Sequence, residues 1–395
     1  MKVLIAAASF SPNLSGLPRH AFNVARSLLK QPDISAVHLV IAPWQRSIAQ
    51  AEAFSDPRLT THVADMKPTS LSRNLWYYRR LPKLAASLQA DVAHMTFPVP
   101  INSAAFPCPT VATLHDLYPY EIPLNFRFPQ IVFNRLILRQ CLRNADAIAC
   151  VSEITKLRLT QYALGGAWKK AVRIYNCVEP GPLHNIRAPI PDWRGKPFLF
   201  CVAQHRRNKN LPLLIDVFNR LLRIGQINPE MKLVVVGIPG PETPRIHRLV
   251  SEYGLGKRVH FLEGLSEAEL QWCYARCEAL VAPSITEGFG LPVAEALLAG
   301  CRVVCSDIPA FREVGGEHCR YVDLSKDPEE ALGAAIVAAL KDPRRKPVSL
   351  PQFSAPVIAE QYITLYRRLI AFVALKRSAR FSAAMHATAS ERQSL

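Results

Sequence analysis

The sequence has no run of eighteen apolar residues, so it contains no segment expected to cross a membrane as a helix. The apolar stretch near its start, Val3 to Ala8, is short for a signal peptide and is predicted to be a buried first strand. Acidic residues are scarce beside basic ones, 31 against 48, which gives a net charge of +17. This charge predicts a polyanionic partner, namely nucleic acid, anionic lipid or a phosphorylated ligand, and does not constrain the fold.

Common signatures of metal and dinucleotide binding are also missing. The ten cysteines include no C-x2-C pair, and the pairs Cys273/Cys277 and Cys301/Cys305 are each spaced by three residues, which fits neither common zinc sites nor redox motifs. Most lie in predicted apolar strands or helices, as small buried hydrophobes do. We therefore expect a reducing cytoplasm and no structural metal. The turn after the first strand lacks G-x-G-x-x-G, and no acidic D-x-D pair follows a predicted strand.

The length of 395 residues suits two domains better than one. Apolar strands alternate with helices, which is typical of parallel α/β sheets. Prolines crowd the stretch between Glu179 and Phe198, which has no long apolar run and marks a boundary. The alternation restarts at Phe198, so the sequence predicts two similar domains that face each other, 1–185 and 186–355. The polar, basic tail 376–395 is predicted to be largely disordered.

The stretch from Pro283 to Gly300, PSITEGFGLPVAEALLAG, carries two carboxylates, Glu287 and Glu295, separated by seven residues. It predicts a strand end, a glycine-rich turn, and a helix that begins at Leu291 or Pro292. The free N–H groups and partial positive charge of such a helix start suit a phosphate. Both carboxylates can point into one crevice at the carboxyl end of a parallel sheet, where open α/β sheets bind ligands. The alternative is a surface turn followed by an ordinary helix.

This combination resembles the Glu-x7-Glu signature of the retaining nucleotide-sugar glycosyltransferases of family 4. Such enzymes have the GT-B fold, an α/β architecture of two Rossmann-like β/α/β domains with a cleft between them. The resemblance runs through nearly the whole chain and is densest in 198–316. It also includes a Thr-x-His-Asp pattern ending at Asp116, Val-Ser-Glu at 151–153, and Lys-Asn-Leu from Lys209.

Two positions depart from the family pattern. Gln204 stands where an arginine is commonest, and His205, Arg206 and Arg207 are all candidates to compensate for it. Cys177 stands where the Tyr-Asn-Gly-Val turn usually has glycine. The resemblance further implies that the helix 356–375 crosses back onto the first domain.

The resemblance implies roles for particular residues. Glu295 would accept the ribose hydroxyls of the donor, Glu287 would orient its sugar, and His115 would approach that sugar from the first domain. Lys209, with Arg206 as the weaker candidate, would hold the diphosphate. The candidate catalytic residues are His115, Lys209 and Glu287. The candidate donor-binding residues are Gly16, Arg206, Lys209, Leu265, Gly288, Phe289, Gly290, Leu291 and Glu295.

Two further segments combine basic with apolar residues. Leu71 to Gln89 carries four basic residues, no acidic one and three consecutive aromatic residues. It is compatible with a helix that has a solvated basic face and an aromatic core face, with single-stranded nucleic-acid binding, or with a lipid interface. Of the two binding roles we favour the membrane surface. On the predicted helix Ile131 to Arg143, arginines recur every four residues as one stripe, which is normally only a solvated face.

The function implied by the resemblance is transfer of a sugar from a nucleotide-diphosphate sugar, with GDP-mannose as best guess. The acceptor would be a hydroxyl of a glycan or lipid-linked acceptor in cell-surface polysaccharide synthesis, and the anomeric configuration would be retained. No cofactor or metal is expected. We expect a cytoplasmic enzyme, a candidate for peripheral association with the anionic inner face of the plasma membrane, and no nucleic-acid partner. The alternatives are a nucleotide-sugar epimerase of the same fold and a basic module that binds nucleic acid or membrane.

Overall fold

The computed structural model describes residues 1–10, 16–51, 55–162, 166–181, 186–190, 195–343 and 346–393. Within these ranges, thirteen strands form two sheets, one in each half of the chain. Neighbouring strands in both sheets pair in parallel. Because parallel strands need long crossovers, helices connect most of them. The α/β class predicted from the alternation of strands and helices is therefore confirmed.

The first sheet lies in the first half of the chain. Its strands are β1 Lys2–Ala6, β2 Ala36–Ile41, β3 Leu59–Val63, β4 Val92–Met95, β5 Thr110–Leu114, β6 Ala147–Cys150 and β7 Ala171–Arg173. The helices of this half are α1 Gly16–Leu29, α2 Arg46–Ala51, α3 Ser70–Arg79, α4 Leu81–Ser87, α5 Tyr118–Glu121, α6 Gln130–Asn144 and α7 Glu153–Gln161. The strand order is β3-β2-β1-β4-β5-β6-β7, so the order reverses beside β1 and β4. A crevice for ligands is expected at their carboxyl ends.

The second sheet repeats this plan. Its strands are β8 Phe198–Val202, β9 Lys232–Val236, β10 Val259–Leu262, β11 Ala279–Ala282, β12 Val303–Ser306 and β13 Arg320–Val322. The helices that follow are α8 Leu211–Arg223, α9 Thr243–Glu252, α10 Glu267–Arg276, α11 Leu291–Leu298, α12 Pro309–Gly315, α13 Pro328–Lys341 and α14 Ala355–Gln393. The order is β10-β9-β8-β11-β12-β13, and the reversal falls beside β8 and β11.

Each sheet is buried on both faces. In β1, Leu4 and Ala6 contribute to one apolar cluster and Val3 and Ile5 to another, as the two-residue period of a strand requires. The cluster around Leu4 also contains apolar side chains of α3, α4 and α6. The cluster around Val3 contains side chains of α1 and α14. Helices therefore cover both faces of the first sheet, and α3 and α6 lie on the same face.

Helix α14 follows the second half in sequence but packs on the first. Its buried residues Ile358, Tyr362 and Tyr366 join the core cluster that contains α1. The backbone is helical to Gln393, whereas composition predicts a largely disordered tail over 376–395. The tail is rich in alanine, which has the highest helix propensity, and its predicted disorder stays a prediction. The divisions at 185 and 355 stay predictions.

Capping positions agree with the local sequence. Ser152 accepts a hydrogen bond from the N–H of Thr155 at the start of α7, and Ser266 forms a full capping box with Glu269 at the start of α10. The predicted segment 71–89 forms two helices, α3 and α4, which meet at Arg80.

Candidate active site

The loop between β11 and α11 contains the two spaced glutamates. The strand ends at Ala282 and the helix begins at Leu291, as predicted. Gly290, just before the helix, has φ 110°, which is strained for any residue with a side chain. A Cβ at this position would also lie 2.8 Å from the ring of Phe311. The turn therefore requires glycine.

Glu287 is the centre of a buried polar cluster in this loop. Its Oε1 accepts hydrogen bonds from Lys209 Nζ at 2.5 Å and Ser284 Oγ at 2.7 Å, and its Oε2 accepts one from the Tyr118 hydroxyl at 3.1 Å. Burial, and then the carboxylate of Glu287, raises the pKa of Tyr118, so its phenol remains a donor. The structure thus brings the predicted residues Lys209 and Glu287 into direct contact.

Glu295 lies in α11, is buried and has partners from both halves of the chain. Its Oε2 accepts a hydrogen bond from the Tyr274 hydroxyl at 2.6 Å, and its Oε1 pairs with Arg19 Nη1 at 3.2 Å. The other guanidinium nitrogen of Arg19 pairs with Glu267 at 2.9 Å. Burial raises the pKa of Glu295, and the positive charge of Arg19 opposes this shift.

The loop after β11 packs directly against the first half of the chain. The carbonyl of Gly288 accepts hydrogen bonds from Ser152 Oγ at 2.5 Å and Thr155 Oγ1 at 3.1 Å. Arg158 Nη1 donates to the carbonyl of Glu287 at 2.9 Å. A Cβ at Gly288 would overlap the backbone carbonyl of His115. Glycine at 288 therefore permits the close approach that puts His115 beside the loop.

His115 is held in a defined tautomer. Its Nε2 lies 2.8 Å from the carbonyl oxygen of Thr96, which can only accept, so Nε2 must carry the proton. Burial lowers the pKa of His115 to about 4, although the bond to Thr96 opposes the shift. The imidazole is therefore neutral near pH 7, and its Nδ1 is a hydrogen-bond acceptor. This state suits contact with a sugar hydroxyl.

A chain of buried polar groups runs behind His115, and the sequence analysis missed it. The rings of His20 and His115 meet edge to face with centroids 4.7 Å apart. Thr113 Oγ1 lies 3.3 Å from His20 Nε2 and 2.7 Å from His94 Nε2. The other ring nitrogen of His94 bonds the hydroxyl of Tyr366 at 2.7 Å. The catalytic candidate His115 is thus supported by groups from α1, β4, β5 and the returning helix α14.

The basic loop after β8 contains one buried histidine and two arginines besides Lys209. His205 Nδ1 lies 3.0 Å from the hydroxyl of Thr243, and burial lowers the pKa of this imidazole, so it supplies no cation near pH 7. Arg207 is exposed. Arg206 is half-buried and close enough to Asp116 to oppose the rise in pKa that burial causes in that carboxyl. The choice of Arg206 to replace the arginine missing at 204 stays a prediction.

The remaining predicted donor-binding residues differ in their exposure. Gly16 begins α1 and is exposed, while residues 11–15 of its loop lie outside the described residues. Phe289 is buried in the apolar core of the second half, so its backbone, and not its ring, is available to a ligand. Leu265 and Leu291 are half-buried against the same core. Their roles in donor binding stay predictions.

Several site residues were not predicted, and four of them are charged or aromatic. These are Arg19, Tyr118, Arg158 and Tyr274, which contact the two glutamates or the loop between them. Arg19 follows Gly16 by three positions, and a cation so near a suspected phosphate loop is a signal that could have been used. Nothing in the local sequence of Tyr274 marks it, since its contact with Glu295 depends on how α10 packs against α11.

Two negative findings concern the described part of the chain. No cluster of three or more histidine, cysteine, aspartate or glutamate side chains there is arranged to hold a metal ion. None of the helices in those ranges combines the length and apolar character needed to span a bilayer. The ten cysteines, all within the described residues, are thiols, and nine of them are buried.

Two family models match successive parts of the chain. The model described as Glycosyltransferase Family 4 matches residues 14–181, and the model described as Glycosyl transferases group 1 matches residues 185–350. Their junction falls in the proline-rich stretch between the two sheets.

Curated relatives include two bacterial O-antigen enzymes. The chain is 27% identical over 289 residues to the O-antigen chain mannosyltransferase RfbU of Salmonella typhimurium, covering 69% of this chain and 73% of that protein. It is 23% identical over 400 residues to the O-antigen chain mannosyltransferase B of Escherichia coli, covering 93% of this chain and 100% of that protein.

Solved structures share the fold at low identity. Anabaena Alr3699/HepE in complex with UDP and glucose superposes with a TM-score of 0.61 at 17% identity, over 97% of this chain and 100% of that chain. Sucrose-phosphate synthase from Thermosynechococcus elongatus superposes with a TM-score of 0.65 at 19% identity, over 94% and 99% of the two chains.

Two parallel sheets, each with a reversal of strand order, and the superposition on solved structures over nearly the whole chain define the GT-B fold. The two family models match both halves of the chain and therefore identify its family. The chain belongs to the family-4 glycosyltransferases.

Proposed function

We propose that this glycosyltransferase moves mannose from GDP-mannose to a hydroxyl of a glycan or lipid-linked acceptor, with retained anomeric configuration and without a metal ion. The sugar and its use in polysaccharide synthesis are supported by the O-antigen mannosyltransferases among its relatives. One structural neighbour was solved in complex with UDP and glucose. Because its identity to this chain is low, its ligand does not indicate which nucleotide this chain binds.

One observation carries the proposal. Glu287 and Glu295 lie on either side of the N-terminus of α11, Lys209 contacts Glu287 at 2.5 Å, and His115 is packed against the same loop at Gly288. A cation, the backbone N–H groups that precede Pro292, two carboxylates and a neutral imidazole are the groups that a diphosphate, a ribose and a hexose would need. All of them lie where the two halves meet.

The proposed chemistry follows from these groups. Cleavage of the bond between the anomeric carbon and the phosphate oxygen puts negative charge on the diphosphate, which Lys209 and the N–H groups at the start of α11 would stabilise. The acceptor oxygen forms the new bond on the same face, and its proton passes to the departing phosphate oxygen. Glu287 and His115 Nδ1 would orient sugar hydroxyls, and Glu295 would accept the ribose hydroxyls in place of Arg19. No protein nucleophile is needed.

The proposed place of work is the cytoplasmic face of the plasma membrane, where a lipid-linked acceptor would be available. The net charge of +17 supports an anionic partner of this kind.

A thermal-shift panel of UDP, GDP, ADP and dTDP tests the nucleotide. A ligand that binds only the folded state raises the apparent stability, by about 2.7 kcal/mol at a hundredfold excess over Kd. We expect the largest shift with GDP. Equal shifts with all four nucleotides, or none, would contradict the assignment of GDP.

Activity assays test the site. Lys209→Ala and Glu295→Ala are each expected to lower turnover about a hundredfold or more, since each removes a contact to the donor. Arg207→Ala, an exposed change in the same loop as Lys209, serves as the control and should retain turnover. Near-normal transfer by the Lys209 and Glu295 variants would reject the site.

Incubation with donor alone separates transfer from epimerisation, because only an epimerase would form an epimeric nucleotide sugar without an acceptor.

A further inference from the structure

Arg73 on α3 is a half-buried cation for which the described residues supply no acidic partner. Burial lowers the pKa of its guanidinium, and the group that opposes this shift is the hydroxyl of Tyr77, not a carboxylate. In the described part of the chain its Nε has no hydrogen-bond partner, and its Nη2 donates to Asn74 Oδ1 at 3.4 Å. Because enclosing a cation without an anion is unfavourable, the position favours an anion that comes from a ligand.

The amide of Asn74, the next residue, also has an unused donor. Asn74 is only 6% exposed, and its Nδ2 has no hydrogen-bond partner among the described residues. Because its Oδ1 accepts a hydrogen bond from Arg73, the amide lies beside the guanidinium, and the unused donors of the two side chains are close together. Buried polar groups in folded proteins are nearly always paired, so two neighbouring exceptions indicate a place where a ligand supplies the acceptor.

Two aromatic rings fix the position of the guanidinium. Arg73 Cζ lies 4.1 Å from the ring centroid of Phe10 and 5.7 Å from that of Phe97, so the cation contacts both rings. Phe97 is buried in the core, whereas Phe10 is 40% exposed. One helical turn after Arg73, the hydroxyl of Tyr77 donates to the carbonyl of Ala8 at 3.2 Å and fastens α3 to the end of β1. The fork of donors is therefore held in place before any ligand arrives.

Arg73 lies at the crevice of the first sheet. Phe10 follows β1 and Phe97 follows β4, the two strands beside which the strand order reverses. Open α/β sheets bind ligands at such a reversal. Thr96, the neighbour of Phe97, accepts a hydrogen bond from His115 Nε2 at 2.8 Å. Contacts through two adjacent residues therefore connect the guanidinium with the imidazole proposed to act in catalysis.

We propose that Arg73 and Asn74 form a second anion site, which binds an oxyanion group of the acceptor, either a phosphate or a carboxylate. The guanidinium can donate to two oxygens of such a group, and displacement of the exposed Phe10 ring opens this side of the fork to it. A purely structural role, in which Arg73 only covers the aromatic rings, leaves the two unused donors unexplained. The site is separate from the cation proposed for the donor diphosphate, because Lys209 belongs to the second half. The assignment to the acceptor rests on the proposed function, whereas the binding of an anion does not.

Isothermal titration calorimetry on the full chain tests the anion site. The probes are mannose 6-phosphate, glucuronic acid and the neutral methyl α-mannoside, each titrated into the nucleotide-free chain. We expect an anionic probe to bind about tenfold or more tightly than methyl α-mannoside, and the better of the two identifies the group as phosphate or carboxylate. Arg73→Ala is expected to weaken binding of that probe by about tenfold or more, since it removes a charge-assisted hydrogen bond. Equal binding of all three probes, or of none, would overturn the proposal.

Asn74→Asp separates loss of the site from loss of the fold. The new carboxylate would pair with Arg73 in place of the ligand, so the affinity for the anionic probe should fall by about tenfold or more while the thermal midpoint stays at or above that of the parent. Arg79→Ala, an exposed change on the same helix, is the matched control and should bind the probe like the parent. Equal losses in Arg73→Ala and Arg79→Ala, or unchanged binding in Asn74→Asp, would contradict the site.

The donor site supplies the remaining comparison. Lys209→Ala should lose the nucleotide thermal shift and keep the binding of the anionic probe, whereas Arg73→Ala should do the reverse. Loss of probe binding in Lys209→Ala but not in Arg73→Ala would show that the probe binds at the donor diphosphate site, and it would overturn the inference. If the anionic probe binds as described but no nucleotide shifts the parent chain, the anion site stands and the proposed function fails. If the chain binds nucleotide and transfers sugar but binds no anionic probe, only the inference fails.

Discussion

Arg19 in α1 and Glu295 in α11 form an ion pair at 3.2 Å that joins the two halves of the molecule. The side chains are only 17% and 9% exposed, so water screens the pair weakly. The carboxylate proposed to hold the donor ribose is therefore occupied by a cation of the other half in this structure. A donor that uses Glu295 must displace Arg19 or share the carboxylate with it.

The Arg19–Glu295 ion pair predicts that changes at its two positions have non-additive effects on the free energy of unfolding. Arg19→Ala is expected to lower the free energy of unfolding at pH 7 by about 2–3 kcal/mol, because it leaves Glu295 buried without its cation, while residual exposure keeps the loss below that of a fully buried pair. Arg19→Ala/Glu295→Gln should cost less than the two single changes added together. Urea unfolding of the four proteins measures this coupling, and strictly additive values would mean that the pair contributes nothing.

The closeness of the two halves depends on glycine at 288. Gly288→Ala places a Cβ on the backbone carbonyl of His115, which cannot move as the end of a flexible side chain can. We expect the cleft to open, with a larger radius of gyration in X-ray scattering and a loss of turnover of about a hundredfold.

Gly256→Ala is the control for this change. A Cβ at Gly256 meets no atom within 4 Å, and no positive φ restricts the position. Turnover and radius of gyration should stay at the parent values. Normal turnover in Gly288→Ala would show that the contact with His115 is not needed for closure.

The buried histidines predict how stability depends on pH. Burial lowers the pKa of His94 to about 3 and that of His115 to about 4, and it also lowers the pKa of His20. The unfolded chain takes up these protons near pH 6.5 and the folded chain does not. Stability is therefore fully present above pH 6.5 and falls as the pH drops toward 4, by about 1.4 kcal/mol per pH unit for each histidine.

His94→Asn isolates one of these contributions. The raised pKa values of Asp116 and Glu295 act in the opposite direction over part of the same range, but they are shared by both proteins. Between pH 6 and 5 the slope of unfolding free energy against pH should be lower in the variant by about 1.4 kcal/mol per unit. Unfolding in urea at several pH values gives the slopes, and parallel curves would count against a neutral, buried His94.

The hydroxyl of Tyr366 on α14 is expected to stabilise the folded protein, although Tyr366 is not one of the proposed donor-binding residues. Tyr366→Phe removes the hydroxyl that bonds His94 at 2.7 Å and leaves that ring nitrogen buried without this partner. We expect a loss of about 1–2 kcal/mol in unfolding free energy. Tyr253→Phe removes a hydroxyl bonded to Asp216 near the surface and should cost less than about 0.5 kcal/mol. Equal losses in the two variants would show that the buried hydrogen bond to His94 stabilises the protein no more than the surface hydrogen bond does.

Much of the site was predictable because its signals are local. Glycines 288 and 290 lie within three positions of Glu287, and the helix start at Leu291 follows from Pro292 at its first turn. The basic loop before α8 could be connected to Glu287 only through the family resemblance. The contact of Lys209 with Glu287 agrees with that connection.

Other parts were beyond local signals. The aromatic run at 76–78 suggested an interface, and packing instead buried Trp76 and Tyr77 while exposing Leu71 and Leu75. A sequence pattern that mixes basic with aromatic residues does not indicate which side of a helix faces the sheet.

By itself, the sequence determined the parallel strands, the turn with its glycines and the spacing of the two glutamates, since each depends on residues a few positions apart. Only the tertiary structure decided which groups those glutamates meet. Arg19 and Glu295 are 276 positions apart and Tyr118 and Glu287 are 169 apart. No pattern of period two or 3.6 extends over such distances, so their meeting depends on how two separately folded sheets are brought face to face.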